Sequence, residues 1–169
     1  MSFEDELLTP RQPFIDDLEL WRGMLEQGSD EQLIMRLMPY HLADLRPEYE
    51  ISAEMRGETV TMADFLQHCL SLSQSKPSTE EMERAPLLES WCAVSGHERF
   101  FLIGIVTAHP TLRESARTYT SLLFQAHPDH GWARTWSRYY RLGQYSKCFL
   151  WELQYEGKIS GAFEILEFE

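Results

Sequence analysis

The hydrophobic period of this chain changes once, across residues 73–82, and that change limits the folds open to it. Before it, apolar residues recur at helical spacing. Phe14, Ile15, Leu18, Leu20, Trp21, Met24 and Leu25 follow Pro13, and Gly28 supplies a stop. Ser29-Asp30 offers an N-cap to a helix over 31–38, with Leu33, Ile34, Leu37 and Met38 on one side. Pro47 ends the next segment. Thr61 with Asp64 three residues on has the form of a capping box, and opens a helix that turns Phe65, Leu66, Cys69, Leu70 and Leu72 inward. Residues 73–82 are polar with one proline and read as a linker.

Beyond it the period becomes two. Segments 88–94 and 99–107 read as strands joined by a turn at Ser95-Gly96-His97-Glu98. Residues 117–126 and 132–142 alternate about His127-Pro128-Asp129-His130-Gly131, where Pro128-Asp129 suits a type I turn and Gly131 a left-handed position. Residues 147–155 and 158–168 read as a last pair about Glu156-Gly157. The expected class is α+β: N-terminal helices over 1–82 packed on an antiparallel meander of five to six strands over 83–169.

Charge divides at the same place. Residues 1–90 hold 19 Asp and Glu against 7 Lys and Arg, while residues 91–169 hold 8 of each, so the whole net charge of −12 lies in the first half. A field of that sign opposes lasting contact with duplex nucleic acid or an anionic membrane, and suits a basic protein partner. No apolar run reaches the ~20 residues of a membrane helix, and Met1-Ser-Phe-Glu-Asp-Glu lacks the marks of a signal peptide. Cys69, Cys92 and Cys148 are odd in number, widely spaced and in apolar surroundings, which reads as buried thiols in a reducing compartment, the cytoplasm.

Within the second half, residues 113–147 carry Arg113, Arg117, Arg134, Arg138, Arg141 and Lys147 against Glu114 and Asp129, threaded with Trp132, Trp136, Tyr139 and Tyr140. If the turn at 127–131 closes a hairpin, Ala126 faces Trp132, Phe124 faces Arg134, Leu122 faces Trp136 and Thr120 faces Arg138. One strand face then carries Trp132, Arg134, Trp136, Arg138 and Tyr140. With Arg117 and Arg141 these form the candidate ligand- or partner-binding set. Free guanidinium groups there could grip a phosphate or carboxylate, or stack a base. Set against this, aromatic stripes at strand spacing commonly pack as core, with arginines paired to acidic helices.

The strings His109-Pro110-x-Leu112, Arg117-Thr-x-Thr-Ser121 and Gly131-Trp-Ala-Arg-Thr-Trp-Ser-Arg-Tyr-Tyr-Arg-Leu-Gly143 resemble a family of small, mostly alphaproteobacterial proteins of unknown function. The resemblance covers roughly residues 88–143 and implies a shared domain without a mechanism.

Other constellations point to little chemistry. His127, Asp129 and His130, with His109 as a distant third ligand, could bind zinc and support a small metal-dependent hydrolase, but turn chemistry already accounts for the segment. No nucleophile elbow and no phosphate-cradling glycine loop is present. His41 and His68 read as structural histidines. The expected function is a non-catalytic acidic interaction protein of inhibitor, immunity or regulatory type, binding a basic partner or imitating nucleic acid, with no cofactor. The alternative is a binding module for an anionic small molecule or single-stranded nucleic acid on the Arg134/Trp136/Arg138 face. Docking of the acidic half of one copy on the basic segment of another would give a homodimer.

Overall fold

The structure, a computed structural model, describes residues 15–167. Pro13 and Phe14 at the entry to the first helix, the N-terminal residues read for a signal, and Phe168 at the end of the last strand lie outside them.

Among the described residues, six helices come first: α1 (Ile15–Glu26), α2 (Glu31–Leu37), α3 (Tyr40–Ala43), α4 (Leu45–Met55), α5 (Met62–Gln74) and α6 (Thr79–Arg84). Several of their ends follow the sequence signals, but Pro47, read as the end of a segment, lies in the first turn of α4. Gly28, at φ +92°, closes α1 with paired bonds from Gly28 N–H to the Leu25 carbonyl and Ser29 N–H to that of Met24, a Schellman arrangement. Asp30 caps α2 through the Gln32 N–H, and Thr61 and Asp64 complete a capping box on α5. The stretch read as a linker is shorter than expected, because Ser78 and Glu81 form a second capping box and α6 begins inside it. That signal, Ser-x-x-Glu, was in the sequence.

Strands β1 (Leu87–Gly96), β2 (Arg99–Thr107), β3 (Ala116–Tyr119), β4 (Leu123–His127), β5 (Trp132–Thr135), β6 (Tyr139–Leu142) and β7 (Glu164–Ile165) form one sheet in the order β3-β2-β1-β6-β5-β4, with β7 beside β1. The structure corrects the expected antiparallel meander. The sheet is mixed, since β6 runs parallel to β1, and it has seven strands.

The last expected strand pair is also corrected. Residues 148–155 form a helix, α7 (Cys148–Tyr155), closed by Gly157 at φ +72° with Lys158 N–H bonded to the Leu153 carbonyl. Phe149, Trp151, Leu153 and Tyr155 alternate as a strand would, but the buried residues are Phe149, Leu150 and Leu153 at helical spacing, and Tyr155 is 94% exposed. In the same change Cys148 comes to the surface, while Cys69 and Cys92 are buried as expected. Burial pushes both buried thiols up, that of Cys92 to about 12.

The sheet cannot be flat. Six strands about 4.8 Å apart would separate β3 from β4 by about 24 Å, whereas the three residues between Tyr119 and Leu123 allow at most about 14 Å. The sheet therefore curls toward closure, and Thr120 marks the seam: its N–H donates to the Leu102 carbonyl at 2.9 Å and its Oγ1 accepts from the Leu102 N–H at 3.0 Å. Leu88, Trp91, Ala93, Leu102, Val106, Ala116, Leu123, Ala126, Ala133 and Tyr140, drawn from six strands, fill the interior as one cluster. Three helices cover the outer face. Helix α5 lies over β4 and β5, α6 meets Trp132 and Tyr139, and α7 covers Cys92, Val94, Phe101 and Ile103 of β1 and β2.

Gly104 on β2 shows how tightly the interior is filled. A Cβ there would stand 2.7 Å from the Leu88 side chain and 3.0 Å from the Glu89 carbonyl. Gly104→Ala is expected to cost about 1–3 kcal/mol, read as a lower urea midpoint with unchanged slope. An unchanged midpoint would mean that β1 and β2 pack less closely than described.

Candidate functional site

The Arg–Trp segment does not form the expected face. Its tight turn joins β5 to β6 without glycine or proline: the Thr135 N–H donates to the Arg138 carbonyl at 2.9 Å, and the Arg138 N–H donates to Thr135 Oγ1 at 3.3 Å. Residues 132–142 are thus two strands, and Tyr140 pairs with Ala133 inside the sheet while Trp132, Arg134 and Trp136 lie outside it. The register with β4 is also displaced from expectation. His127 faces Trp132 and Gln125 faces Arg134, with a bulge between Leu123 and Gln125.

Most members of the candidate set have a structural partner. Trp132 packs on Tyr139 beneath α6, and Trp136 sits against Phe65 and His68 of α5. The Arg134 guanidinium lies 4.8 Å from the centre of the Tyr139 ring, half-buried, and burial works against its charge. Arg141 donates from Nε to the Ala85 carbonyl at 2.9 Å, fixing the junction of α6 and β1. Arg138 stands on the turn near His109 and Tyr140. Arg117 lies elsewhere, on β3, paired to Glu156 of the α7 terminus.

The histidine turn is structural too. Gln125 donates to the Leu72 and Ser75 carbonyls at 2.8 and 2.7 Å, so its oxygen accepts from His127 Nε2 at 2.8 Å. His109 accepts the Thr111 and Leu112 N–H groups through Nδ1. His130 and Asp129 form an exposed pair at 3.5 Å. Among the described residues no three His, Cys, Asp or Glu side chains converge as a metal ion requires.

A different concavity is assembled on the acidic helices, in the angle between α4 and α5. Two adjoining cavities of about 420 and 180 Å³ share Glu58, Thr59 and Val60, and Glu50, Glu54 and Asp64 bring further carboxylates. Glu50 and Glu58 are held by Arg46 at 2.7 Å and Arg56 at 3.3 Å, and Asp64 by its capping box. On the outer face of α4, Glu48, Ile51 and Met55 follow at i, i+3 and i+7, with Ile51 57% and Met55 84% exposed. Charge counting alone did not find this site. The signal lay in Ile51 and Met55, apolar residues spaced to stand on the same side of a helix as acids.

One wall of the groove reaches the sheet. The His68 ring stacks on Tyr49 at 4.9 Å and meets Trp136 edge-on at 5.3 Å. Burial, then the charges of Arg134 and Arg56, hold His68 below the usual imidazole range. His127 is lowered as well, first by burial. A lowered histidine contributes stability that is complete above the unfolded value of about 6.5 and is lost as the pH falls through that window. The protein is expected to melt at a lower temperature at about pH 5 than at about pH 7.5, and His68→Phe should narrow that difference while keeping the stack. An equal pH response in the variant would exclude His68 as a contributor.

Together these features define an α+β chain with a curled mixed sheet, a helical face bearing acids and exposed apolar side chains, and an aromatic–arginine hairpin used in packing. The chain belongs to a family described as a family of unknown function (DUF6634), whose match covers residues 59–162. No curated protein and no solved structure matches it. The family match is wider than the resemblance over 88–143, taking in α5, α6 and α7, whereas α1 to α4 precede it.

Proposed function

We propose that this protein is a non-catalytic interaction protein that binds a basic protein partner through the α4–α5 face. The observation that carries the reading is the juxtaposition on α4 of exposed Ile51 and Met55 with the carboxylates of Glu48 and Glu54. Carboxylates alone describe a solvated helix, and isolated apolar residues on a surface are ordinary. Together, beside a groove edged by Glu50, Glu58 and Asp64, they supply both terms an interface uses: apolar anchors for affinity and a charged rim for steering. A lysine or arginine of the partner would enter the groove, where Glu54 has no cationic partner among the described residues. The net charge of −12 would make association fast and dependent on ionic strength. Inhibitor, immunity and regulatory roles all use such a face, and mimicry of nucleic acid is a special case of it. The reading places the protein in the cytoplasm, with no cofactor.

The test is affinity capture from lysate of the source organism by the tagged protein and by two surface variants, Glu48→Lys/Glu54→Lys and Ile51→Ser/Met55→Ser. Both pairs are exposed, so the fold should stand. A basic protein retained at low salt, lost at high salt and lost by both variants is expected. Identical retention by all three proteins would contradict the reading.

A further inference from the structure

A second concavity has the opposite chemistry. Between β3 and α7 is a cavity of about 880 Å³, within the size range of small-molecule sites. Residues 115–119 line it consecutively. A strand shows alternate residues to each face, so the four of β3 in a row can border one space only if that space runs along the strand's edge. β3 is the terminal strand of the sheet path. Thr120 directs its N–H to the Leu102 carbonyl of β2, and the alternation along the strand turns the Arg117 and Tyr119 amides outward, toward the cavity.

The side chains around this edge are donors. Arg113, Arg117 and Lys158 border the cavity with the hydroxyls of Ser115 and Thr118. Arg117 is held by Glu156, whereas Arg113 and Lys158 have no carboxylate partner among the described residues. The lining thus holds three cations and no carboxylate, with Glu156 on Arg117 and Glu114 beside Arg113 nearby, on a protein whose net charge is −12. Edge strands often carry a charge to deter pairing with other chains, but one charge does that, and Arg117 already supplies it. The additional cations come from separate segments: Arg113 from the loop after β2 and Lys158 from beyond α7.

That loop is held in place. Ala108 and Ser115 both take left-handed conformations, at φ +58° and +59°, and the Glu114 carboxylate accepts the Ala108 N–H at 2.7 Å. Leu153 and Ile159 give the cavity an apolar side, and Tyr119, 63% exposed, stands at its border.

We infer that the cavity between β3 and α7 binds an organic phosphate, with Arg113, Arg117 and Lys158 on the phosphate and Leu153, Ile159 and Tyr119 against the organic part. A phosphate monoester is a dianion of acceptors only, matching a cavity lined by three cations and no carboxylate. The apolar side and the volume exceed what inorganic phosphate would fill. The same monoester chemistry occurs on a free metabolite and at the end of a nucleic-acid strand, and the apolar side formed by Leu153 and Ile159 assigns the site to the small molecule. This site is independent of the α4–α5 face.

The test maps amide shifts of the labelled full chain with phenyl phosphate, phenol and 5′-phosphorylated oligothymidylate. Phenyl phosphate is expected to give saturable shifts at residues 115–119 and 158–159, and phenol none. Arg113→Gln/Lys158→Gln, both exposed positions, should weaken binding at least about tenfold without altering the rest of the spectrum. Absence of saturable shifts, or shifts that survive the double substitution, would overturn the inference. Far tighter binding of oligothymidylate, with shifts spreading beyond the cavity, would assign the surface to nucleic acid and also overturn it.

Discussion

The three-residue connection from β3 to β4 is the constraint on which the rest of this molecule depends. It joins two strands that stand at opposite ends of the sheet path, so the sheet has to bend until its ends approach. Thr120 stands at the bend and stays bonded to β2: its hydroxyl accepts from the Leu102 N–H at 3.0 Å and donates to the Ser121 carbonyl at 2.8 Å. Curling gives the sheet an inside, filled by side chains from six strands. It also gives a convex outside too large for one helix to cover, and α5, α6 and α7 divide it. The β3 edge lies beside α7, and the basic cavity follows from that gap.

The separation of charge along the sequence persists in space. Arginines of the β5–β6 hairpin are used mainly in packing, Arg134 on Tyr139 and Arg141 on the Ala85 carbonyl, with Glu81 of α6 the helical acid that acts on Arg134. Arg134 keeps a buried Nε without a hydrogen-bond partner, a cost consistent with a guanidinium held by ring contact and packing more than by pairing. The helices therefore present their carboxylates to solvent, relieved locally by Arg46 and Arg56. The acidic face and the basic cavity occupy different elements.

The helical half was legible because its signals are local. Gly28, Asp30 and the Thr61–Asp64 pair act within a few residues of themselves, and Phe65, Leu66, Cys69, Leu70 and Leu72 of α5 are buried as read, although Met62 and Ser73 join them and Leu33 and Leu37 of α2 are exposed. The strand half was legible only in part. β1 and β2 were readable from their period, but the turn at Thr135–Arg138 is built by a threonine hydroxyl and carries no glycine or proline, so two strands read as one. The break at Thr120 is set by a partner on β2, 18 residues away. In α7 the alternation of aromatic residues fits either period, and Glu156-Gly157 fits a hairpin or a helix end. Of the candidate site residues, Arg117 alone borders the basic cavity. Its companions there, Arg113 and Lys158, come from segments 45 residues apart, a proximity created by the fold.

The most direct test of the central claim, that the α4–α5 face receives basic groups of a protein partner, is amide-shift mapping of the full chain with a short lysine-rich peptide. Saturable shifts centred on Glu50, Glu54, Glu58 and Asp64, diminished by added salt, are the predicted result. Shifts scattered evenly over every acidic helix, or confined to residues outside α4 and α5, would contradict it.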